Sequence, residues 1–554
     1  MFTSLSKERF LEVAAAGAVG LRSGQATMIP LGVRLLSDQL TPVLAYRRLV
    51  AQDDREAPSF LFESVEGGER QGRHSILGAH PVMELVAFQN QVTVTDRRFG
   101  GAEKVVRCES ADPLLKIKET TPVIGLTLGT PRAGDGPLPA CFLGGWVGFA
   151  GYDSVRYSEP EKLPFFGAPR DDRALPDLHF CFYDELVIFD HVDKVVHVVR
   201  LIEVKAGATK EEIEAAYDAG VAALERTLAA LQTHSKPLPA GVLDLPRAPA
   251  PMTSNMTREQ HAAMLAKAQE YIKAGDIFQV VVGQRFEKKS KADPFDVYRA
   301  LRAVNPSPYM VYMQAPGWIL VASSPEILCR VRRKDASPRS PFVLTNRPLA
   351  GTRRRGATPG EDAALERELL ADEKERAEHI MLVDLGRNDV GHVAKPGSVE
   401  LPAVMQVERY SHVMHISSTV TGELREGLDC WDALRATLPV GTISGAPKVR
   451  AMQIIDELEP VKRGPYGGGF GYVGLNGEMD IALALRTMVV PTALRTPIGE
   501  WTYHIQAAGG IVADSEPTDE YTETVNKAAA LARAVEVAER AFGDSVVDKA
   551  KSEK

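Results

Sequence analysis

Runs of β-branched and aromatic residues in this chain follow one another across short turns rather than across helices, and that order limits the folds open to it. The clearest case is FCFYDELVIFD (180–190) followed by KVVHVVRL (194–201), with a turn around Asp193 between them. Two apolar runs so close together read as an antiparallel hairpin, because a parallel pair needs a crossover of a dozen residues or more. Further strand-like runs are FQVVVGQRF (278–286), WILVASS (318–324) and WTYHIQAAGGIV (501–512). Helical stretches fall between groups of strands. They are 210–233, a segment opened by the capping box at 257–260 and stopped at Gly275, 361–383, and 518–542. This order lacks the regular βαβ alternation of a doubly wound sheet and predicts an α+β fold built on antiparallel sheets.

The strongest break is KPLPAGVLDLPRAPAP (236–251), where repeated prolines can neither continue a helix nor donate in a ladder. It divides the chain into an N-terminal, strand-rich lobe (1–235), a connector (236–256), a larger mixed region (257–540) and a polar C-terminal tail (541–554). The stretch RVRRKDASPRSP (330–341) reads as a polar surface loop. With 554 residues, 44% hydrophobic and 25% charged, the chain can bury a large core and is neither a disordered nor a disulfide-scaffold sequence. Lys plus Arg number 65 against 73 Asp plus Glu, a net charge of −8, so no global basic footprint for nucleic acid is present. An anionic ligand must then be held by local positive groups or by a metal. The five cysteines have no CxxC spacing and read as reduced thiols. No run approaches the roughly 20 apolar residues of a membrane span, and the N-terminus lacks the apolar core of a secretory signal. The expectation is a soluble, cytoplasmic protein with no membrane and no nucleic-acid partner.

Two predicted helices each carry Glu-x-x-Glu: Glu375 and Glu378 in DEKERAEH, Glu520 and Glu523 in EYTETVNK. A spacing of three places each pair on one helical face. A solvated face with ion pairs is one reading. Four carboxylates facing one cavity is the other, and such a set would suit Mg²⁺, a hard ion that keeps waters and bridges to an anionic substrate. GFGYVG (469–474) matches GxGxxG but runs into the turn signal Leu475-Asn476-Gly477 instead of a helix, so it is not a dinucleotide fingerprint. GTISGAPK (441–448) has three residues between its glycines, one short of a phosphate loop. His415, on an apparent strand flank, is either a satisfied structural histidine or a general base. Arg486 lies inside the apolar run ALALRTMVV and needs a carboxylate, from the protein or from a ligand. The triplet Arg353-Arg354-Arg355 reads by default as a solvated loop.

As an ordered set these strings resemble the chorismate-utilising enzymes, and most closely the anthranilate synthase component I family. The resemblance is carried by PLAGTRRRG (348–356), DEKERAEHIMLVDLGRNDVG (372–391), LPVGTISGAPKVRAMQIIDELEP (438–460), RGPYGGGFGY (463–472), DIALALRTM (480–488) and AAGGIVADSEPTDEYTETVNKA (507–528). LFES (61–64), GRHSILG (72–78) and GGWVGFAGYDSVRYSE (144–159) extend it into the N-terminal lobe. It implies a large antiparallel-sheet chorismate-binding fold, with an intertwined N-terminal β-rich lobe and a catalytic region at 257–540. It also implies a Mg²⁺-dependent lyase of tryptophan biosynthesis that takes chorismate and ammonia to anthranilate and pyruvate. Ammonia would come from glutamine through a separate amidotransferase subunit, giving a hetero-oligomer. None of the five cysteines lies in a Gly-x-Cys-x-Gly elbow, so no amidotransferase is fused here.

The resemblance also assigns roles. Glu378 and Glu523 match metal ligands, with Glu375 and Glu520 nearby. Glu326 matches a general acid for the leaving ring hydroxyl, and His415 a base for the final ring proton. Thr442, Gly351 and Thr352 match ring-contacting positions. Arg486, Tyr466 and the backbone amides of Ala508, Gly509 and Gly510 match the enolpyruvyl-carboxylate site, and Lys527 a lysine near the metal-bound carboxylate. Isochorismate and salicylate synthases of this family use a lysine to activate water where this chain has Gln279. Aminodeoxychorismate synthases carry a nucleophilic lysine where it has Ala350. Both positions favour ammonia addition followed by loss of pyruvate. The alternatives are an aminodeoxychorismate or aminodeoxyisochorismate synthase, which would release no pyruvate, and a catalytically silent tryptophan sensor. Feedback inhibition by L-tryptophan is implied at Glu63 and Ser64, with Pro308, Tyr309, Met310 and Tyr472 walling the indole. Phe62 stands in place of the family's usual leucine.

Overall fold

The computed structural model describes residues 3–543 apart from positions 37, 67–69, 100, 101, 122, 234–237, 245–251, 336, 338, 411 and 412. The expected tail from 544 onward, much of the Pro-rich connector and two positions of the expected 330–341 loop lie outside the described residues; residues 330–333 of that stretch are not loop but the end of strand Ile327–Arg333, with Val331 buried.

Two large sheets organise the chain, thirteen strands in one and twelve in the other among the described residues. The first runs from Gln279–Ser290 through Trp501–Ile511, Thr487–Pro491, Trp318–Ser324 and Tyr309–Ala315. It continues through Ser59–Glu63, His74–Ala79, Glu185–Asp190 and Val195–Lys205 to Ala26–Leu36. The second runs from Leu349–Arg354 through Val413–Glu423, Phe342–Asn346, Ile327–Arg333, Met479–Leu483 and Gly469–Gly474. It continues to Gly145–Ala150, Leu178–Tyr183 and Met83–Phe88. Among the described strands of both sheets, pairing is antiparallel except between Ala26–Leu36 and Val123–Leu126. Strands from before and after the connector share both sheets. Glu63 faces Met310 in the first, and Gly145–Ala150 pairs with Gly469–Gly474 in the second. The expected α+β class, with an intertwined N-terminal lobe, is the observed one.

Several chain segments pass from one sheet into the other, and these crossings position the site. The run 180–190, expected as one strand, is two. Leu178–Tyr183 belongs to the second sheet and Glu185–Asp190 to the first, with Asp184 at the break. Both pieces are buried on both faces, so their side chains show no alternation that would mark the change. Trp318–Ser324 passes to Ile327–Arg333 through Pro325 and Glu326 in the same way. Met479–Leu483 passes to Thr487–Pro491 through residues 484–486. Glu326 and Arg486 therefore stand where the backbone leaves one sheet for the other.

The helix expected over 361–383 is also two, Pro359–Ala371 and Glu373–Gly391. Asp372 separates them with extended dihedrals, φ −69° and ψ 111°. Its carboxylate accepts the amides of Lys374 and Glu375, and such capping competes with a continuous helix. The other helices agree with expectation: Lys210–Leu231, Arg258–Lys273 behind its capping box, and Pro517–Phe542. Pro294–Val304 and Pro517–Phe542 pack together on the first sheet, burying Phe295, Tyr298, Leu301, Leu531 and Val535 in its main core. Side chains of this size contribute about 1.5–3 kcal/mol each when fully buried. The glycine string at 469–474 is a sheet strand, and Gly441–Ile443 is a single 3₁₀ turn, so neither is a nucleotide loop. No helix among the described residues is long and apolar enough to cross a membrane.

Candidate active site

A cavity of about 1030 Å³ opens beside these crossings, between the sheets and the helices Glu373–Gly391 and Pro517–Phe542. Its walls include Glu326, Gly351, Thr352, Glu375, Glu378, His415, Thr442, Tyr466, Arg486, Ala508, Gly510, Glu520, Glu523 and Lys527. Gly509 lies behind the wall, where a Cβ would come within 2.8 Å of Glu520 Oε2. Residues separated by up to 254 positions in the chain, Gln279 and Arg533 at the extremes of the 279–533 span, thus face one space.

Glu326 is buried, and burial pushes its carboxyl up to about 8. The Thr442 hydroxyl donates to Glu326 Oε1 at 3.0 Å, and the Leu349 amide faces the same carboxyl. A carboxylic acid still protonated at neutral pH is what a proton donor requires. Its backbone is fixed as well, since the Leu483 amide donates to the Glu326 carbonyl at 3.0 Å.

His415 stands opposite Thr352 in the pairing of Leu349–Arg354 with Val413–Glu423. Its Nδ1 lies 2.9 Å from the Gly351 carbonyl and 3.1 Å from Thr352 Oγ1. A carbonyl only accepts, so Nδ1 carries the proton and Nε2 keeps its lone pair. Nε2 has no partner among the described residues. Burial, with Arg486 nearby, pulls the imidazole down to about 4 and keeps it neutral.

Arg486 pairs with no carboxylate among the described residues. Its backbone sits in the left-handed region at φ 45°, held by the Ser323 amide donating to its carbonyl at 3.0 Å. Burial pulls the guanidinium below its usual range. A cation left unpaired at the wall of a cavity is a site for an anion. Tyr466, also buried, receives the Ala508 amide at its hydroxyl.

The four helical carboxylates gather at another part of the wall. The Gln279 amide donates to Glu378 Oε1 at 3.0 Å. Arg353 reaches Glu375 at 3.1 Å, and Lys527 reaches Glu523 at 2.6 Å and the Ala508 carbonyl at 2.9 Å. Burial, with Glu375 and Glu523 nearby, raises Glu378; burial, with Glu523 nearby, raises Glu520. Glu520 Oε2 is buried without a hydrogen-bond partner. Besides Gly509, two glycines make room for these groups: a Cβ at Gly510 would lie 2.5 Å from Gln279 Nε2 and 3.4 Å from Glu378 Oε1, and one at Gly351 would lie 3.2 Å from Glu375 Oε2. All-oxygen acidic donors along one wall, one of them with a buried orphan atom, have the donor chemistry of a hard divalent cation site, with no three of them bringing oxygens within 4.8 Å of one another. Among the described residues the one set of three ligand groups whose donor atoms lie within 4.8 Å of one another is elsewhere, Glu84, His179 and Cys181, and it does not suit a metal. Both His179 nitrogens are engaged, Nε2 with Glu84 and Nδ1 as acceptor for the Trp318 indole, so no lone pair remains for a metal.

The expected tryptophan positions form a separate group. Glu63 and Met310 are opposite one another in the first sheet, with Ser64, Pro308 and Tyr309 beside them. The Tyr298 hydroxyl donates to Glu63 Oε2 at 2.6 Å and Arg302 Nε pairs with it at 2.8 Å. Tyr309 and Tyr472 pack on the same apolar cluster, Tyr472 stacked on Phe142 at 4.4 Å.

Residues 58–533 match the chorismate binding enzyme family. The chain belongs to the chorismate-binding enzymes. Among relatives, anthranilate synthase alpha subunit 1 of Oryza sativa subsp. indica is 54% identical over 534 residues, covering 93% of this chain and 89% of that protein. Anthranilate synthase component 1 of Pseudomonas aeruginosa is 44% identical, covering 97% and 99%. Among solved structures, anthranilate synthase component I from Streptococcus pneumoniae TIGR4 superposes with a TM-score of 0.67 at 34% identity, covering 90% and 99%. The menaquinone-specific isochorismate synthase of Escherichia coli, at 18% identity, shares the fold with a TM-score of 0.61 over 95% and 98%.

Within this chorismate-binding chain the structure adds residues that sequence reading passed over. The arginine triplet is not a free solvated loop: Arg353 pairs with Glu368, Asp372 and Glu375, Arg354 with Glu361 and Arg355 with Asp362. Arg353 alternates with Thr352 on a strand, and that period of two was the available signal. Tyr410 sets its ring edge against His415, centroids 5.6 Å apart. No local pattern marks it.

Proposed function

We propose that this chain is the large subunit of an anthranilate synthase, converting chorismate and ammonia to anthranilate and pyruvate in tryptophan biosynthesis. The observation that carries the reading is the one cavity that holds a protonated Glu326, a neutral His415 and Arg486, the His415 Nε2 and the guanidinium both without a protein partner among the described residues. Anthranilate synthase relatives matched over almost their whole length support it.

Arg486, Tyr466 and the Gly510 amide bind the enolpyruvyl carboxylate, with Ala508 and Gly509 shaping the strand behind it, since the guanidinium has no protein anion to neutralise among the described residues. Glu326 gives its proton to the ring hydroxyl as that C–O bond breaks, releasing water while ammonia forms a C–N bond at the carbon beside the ring carboxylate. The Thr442 hydroxyl keeps the Glu326 carboxyl aimed at the cavity. His415 Nε2 then takes the ring proton, the bond from the ring carbon to the enolpyruvyl oxygen breaks, the ring becomes aromatic, and the released enolpyruvate takes a proton at its methylene carbon to become pyruvate. Glu378 and Glu523, with Glu375 and Glu520 nearby, would hold Mg²⁺, which when bound would supply positive charge against the ring carboxylate. Lys527 adds a local cation beside it. Ala350 at the wall offers no nucleophile, and Gln279 cannot deprotonate water.

Ammonia reaches the cavity from a glutamine amidotransferase subunit. Tryptophan, at the Glu63 group, lowers turnover by favouring a state with weaker chorismate affinity. The test is the purified chain with chorismate, Mg²⁺ and excess ammonium, followed by anthranilate fluorescence and pyruvate. Equal amounts of both products, lost with EDTA and reduced by tryptophan, are expected. An amino product without pyruvate would overturn the reaction in favour of an aminodeoxychorismate-type synthase. Unchanged chorismate with tryptophan still bound would overturn catalysis altogether.

A further inference from the structure

Behind the cavity wall lies an ion pair that the reaction above does not use. Glu459 and Arg463 retain only 3% and 1% of their side-chain exposure. Arg463 makes four hydrogen bonds: Nε to Glu459 Oε2 at 2.9 Å, Nη2 to Glu459 Oε1 at 2.6 Å, Nη2 to the Val281 carbonyl at 2.7 Å, and Nη1 to the Ile443 carbonyl at 2.7 Å. Its guanidinium lies 4.6 Å from the Tyr152 ring centroid and 6.0 Å from that of Tyr466. Glu459 Oε1 also accepts the Gly283 amide at 2.9 Å. Neither side chain lines the cavity, yet Val281, Ile443, Tyr466 and Thr442, next to Ile443, all do.

A fully buried ion pair is rarely the best use of a core position for stability, because desolvation consumes most of the attraction. What this pair contributes is direction. A planar guanidinium holds several acceptors at fixed angles, which lysine or an apolar side chain cannot do. Here two of the acceptors are carbonyls of separate wall elements, strand Gln279–Ser290 and the Gly441–Ile443 turn, and the third is Glu459 at the C-terminal end of helix Lys448–Leu458.

We propose that Arg463, braced by Glu459, is a positioning residue that fixes Tyr466 and the Thr442 turn, and with them the seat of the enolpyruvyl carboxylate and the hydroxyl that orients Glu326. The inference rests on the proposed reaction for its kinetic readout, but the placement itself is also readable from binding.

The test uses the full chain with Arg463→Met and Glu459→Met combined, so that both charges leave together and none is stranded, and separately Arg463→Lys. The double variant is expected to unfold cooperatively. Its kcat/KM for chorismate should fall about a hundredfold, as displacement by about an ångström costs at a reacting centre. KM for chorismate should rise and KM for ammonium stay at the wild-type value, a split that general loosening of the fold would not produce. Arg463→Lys keeps the charge facing Glu459 and should lose about tenfold, and it carries the test should the double variant fail to fold. Chorismate binding by calorimetry, on wild type and variants, reads the same placement without turnover. A wild type that binds chorismate but forms no anthranilate would refute the proposed reaction. A folded variant with wild-type chorismate affinity and kcat/KM, or with equal changes in both KM values, would refute the role of Arg463.

Discussion

Replacing Glu326 with glutamine should make the protein less active and, at alkaline pH, more stable. Burial raises this carboxyl from 4.5 to about 8. Each pKa unit is worth about 1.4 kcal/mol, so the rise corresponds to about 5 kcal/mol. The sign follows from proton binding. Between these two values the native chain holds a proton that the unfolded chain has lost, so stability falls as pH rises from 4.5 toward about 8 and levels off above it. Glutamine does not titrate, keeps the shape and can still accept from the Thr442 hydroxyl. Urea unfolding at about pH 5 and about pH 9 should therefore show the variant gaining up to about 5 kcal/mol on the wild type between the two conditions. Turnover should fall about 10²- to 10⁴-fold with the proton donor gone. In the wild type, activity should decline as pH passes through about 8. A stability difference between variant and wild type that stays constant across this range would refute the argument, because Glu326 would then titrate alike in both states.

Arg486→Lys should keep the charge but lose the planar fork, lowering kcat/KM for chorismate about tenfold to a hundredfold, mostly through KM; steady-state kinetics with saturating ammonium check this. Gly510→Ala should press a methyl group to within 2.5 Å of Gln279 Nε2 and 3.4 Å of Glu378 Oε1. It should raise the Mg²⁺ concentration needed for half-maximal activity about tenfold or more, and metal titration that gave the wild-type midpoint would contradict it. Glu63→Gln removes the charge that is to meet the amino group of tryptophan. It should raise the tryptophan concentration for half inhibition about tenfold or more, read from inhibition curves at fixed chorismate.

The sequence pattern displayed the strands and helices well where one face differs from the other or a cap is written out. Thr257 and Gln260 announce a helix start, and the helix begins at Arg258 as they say. It failed where a run is buried on both sides. The break at Asp184 is silent because Leu178–Tyr183 and Glu185–Asp190 are equally apolar and belong to different sheets. Asp372 hid another break, since an aspartate in an acidic helix start looks like a continuation. The residues of the site were legible through motifs, but their chemistry was not. Whether Arg486 meets a protein carboxylate, and which His415 nitrogen is free, depend on neighbours distant in the chain, such as Gly351, 64 positions from His415 and across a strand pair. Arg463 was visible only as part of RGPYGG, because nothing local tells an exposed arginine from one that donates to Ile443 and Val281.

The sheet crossings have a consequence for how such a chain is made. Gly145–Ala150 cannot meet its neighbour Gly469–Gly474 until some 319 more residues exist, the distance from 150 to 469. At about 5–20 residues per second, translation leaves that strand edge unpaired for roughly 16 to 64 s. Ser59–Glu63 waits in the same way for Tyr309–Ala315. Neither half can close its sheets while the other is missing, so a nascent chain carries open edges for most of its time on the ribosome. Holding proteins such as chaperones must shield those edges, and a gene cut at the proline-rich connector would yield two fragments that become soluble only by finding each other.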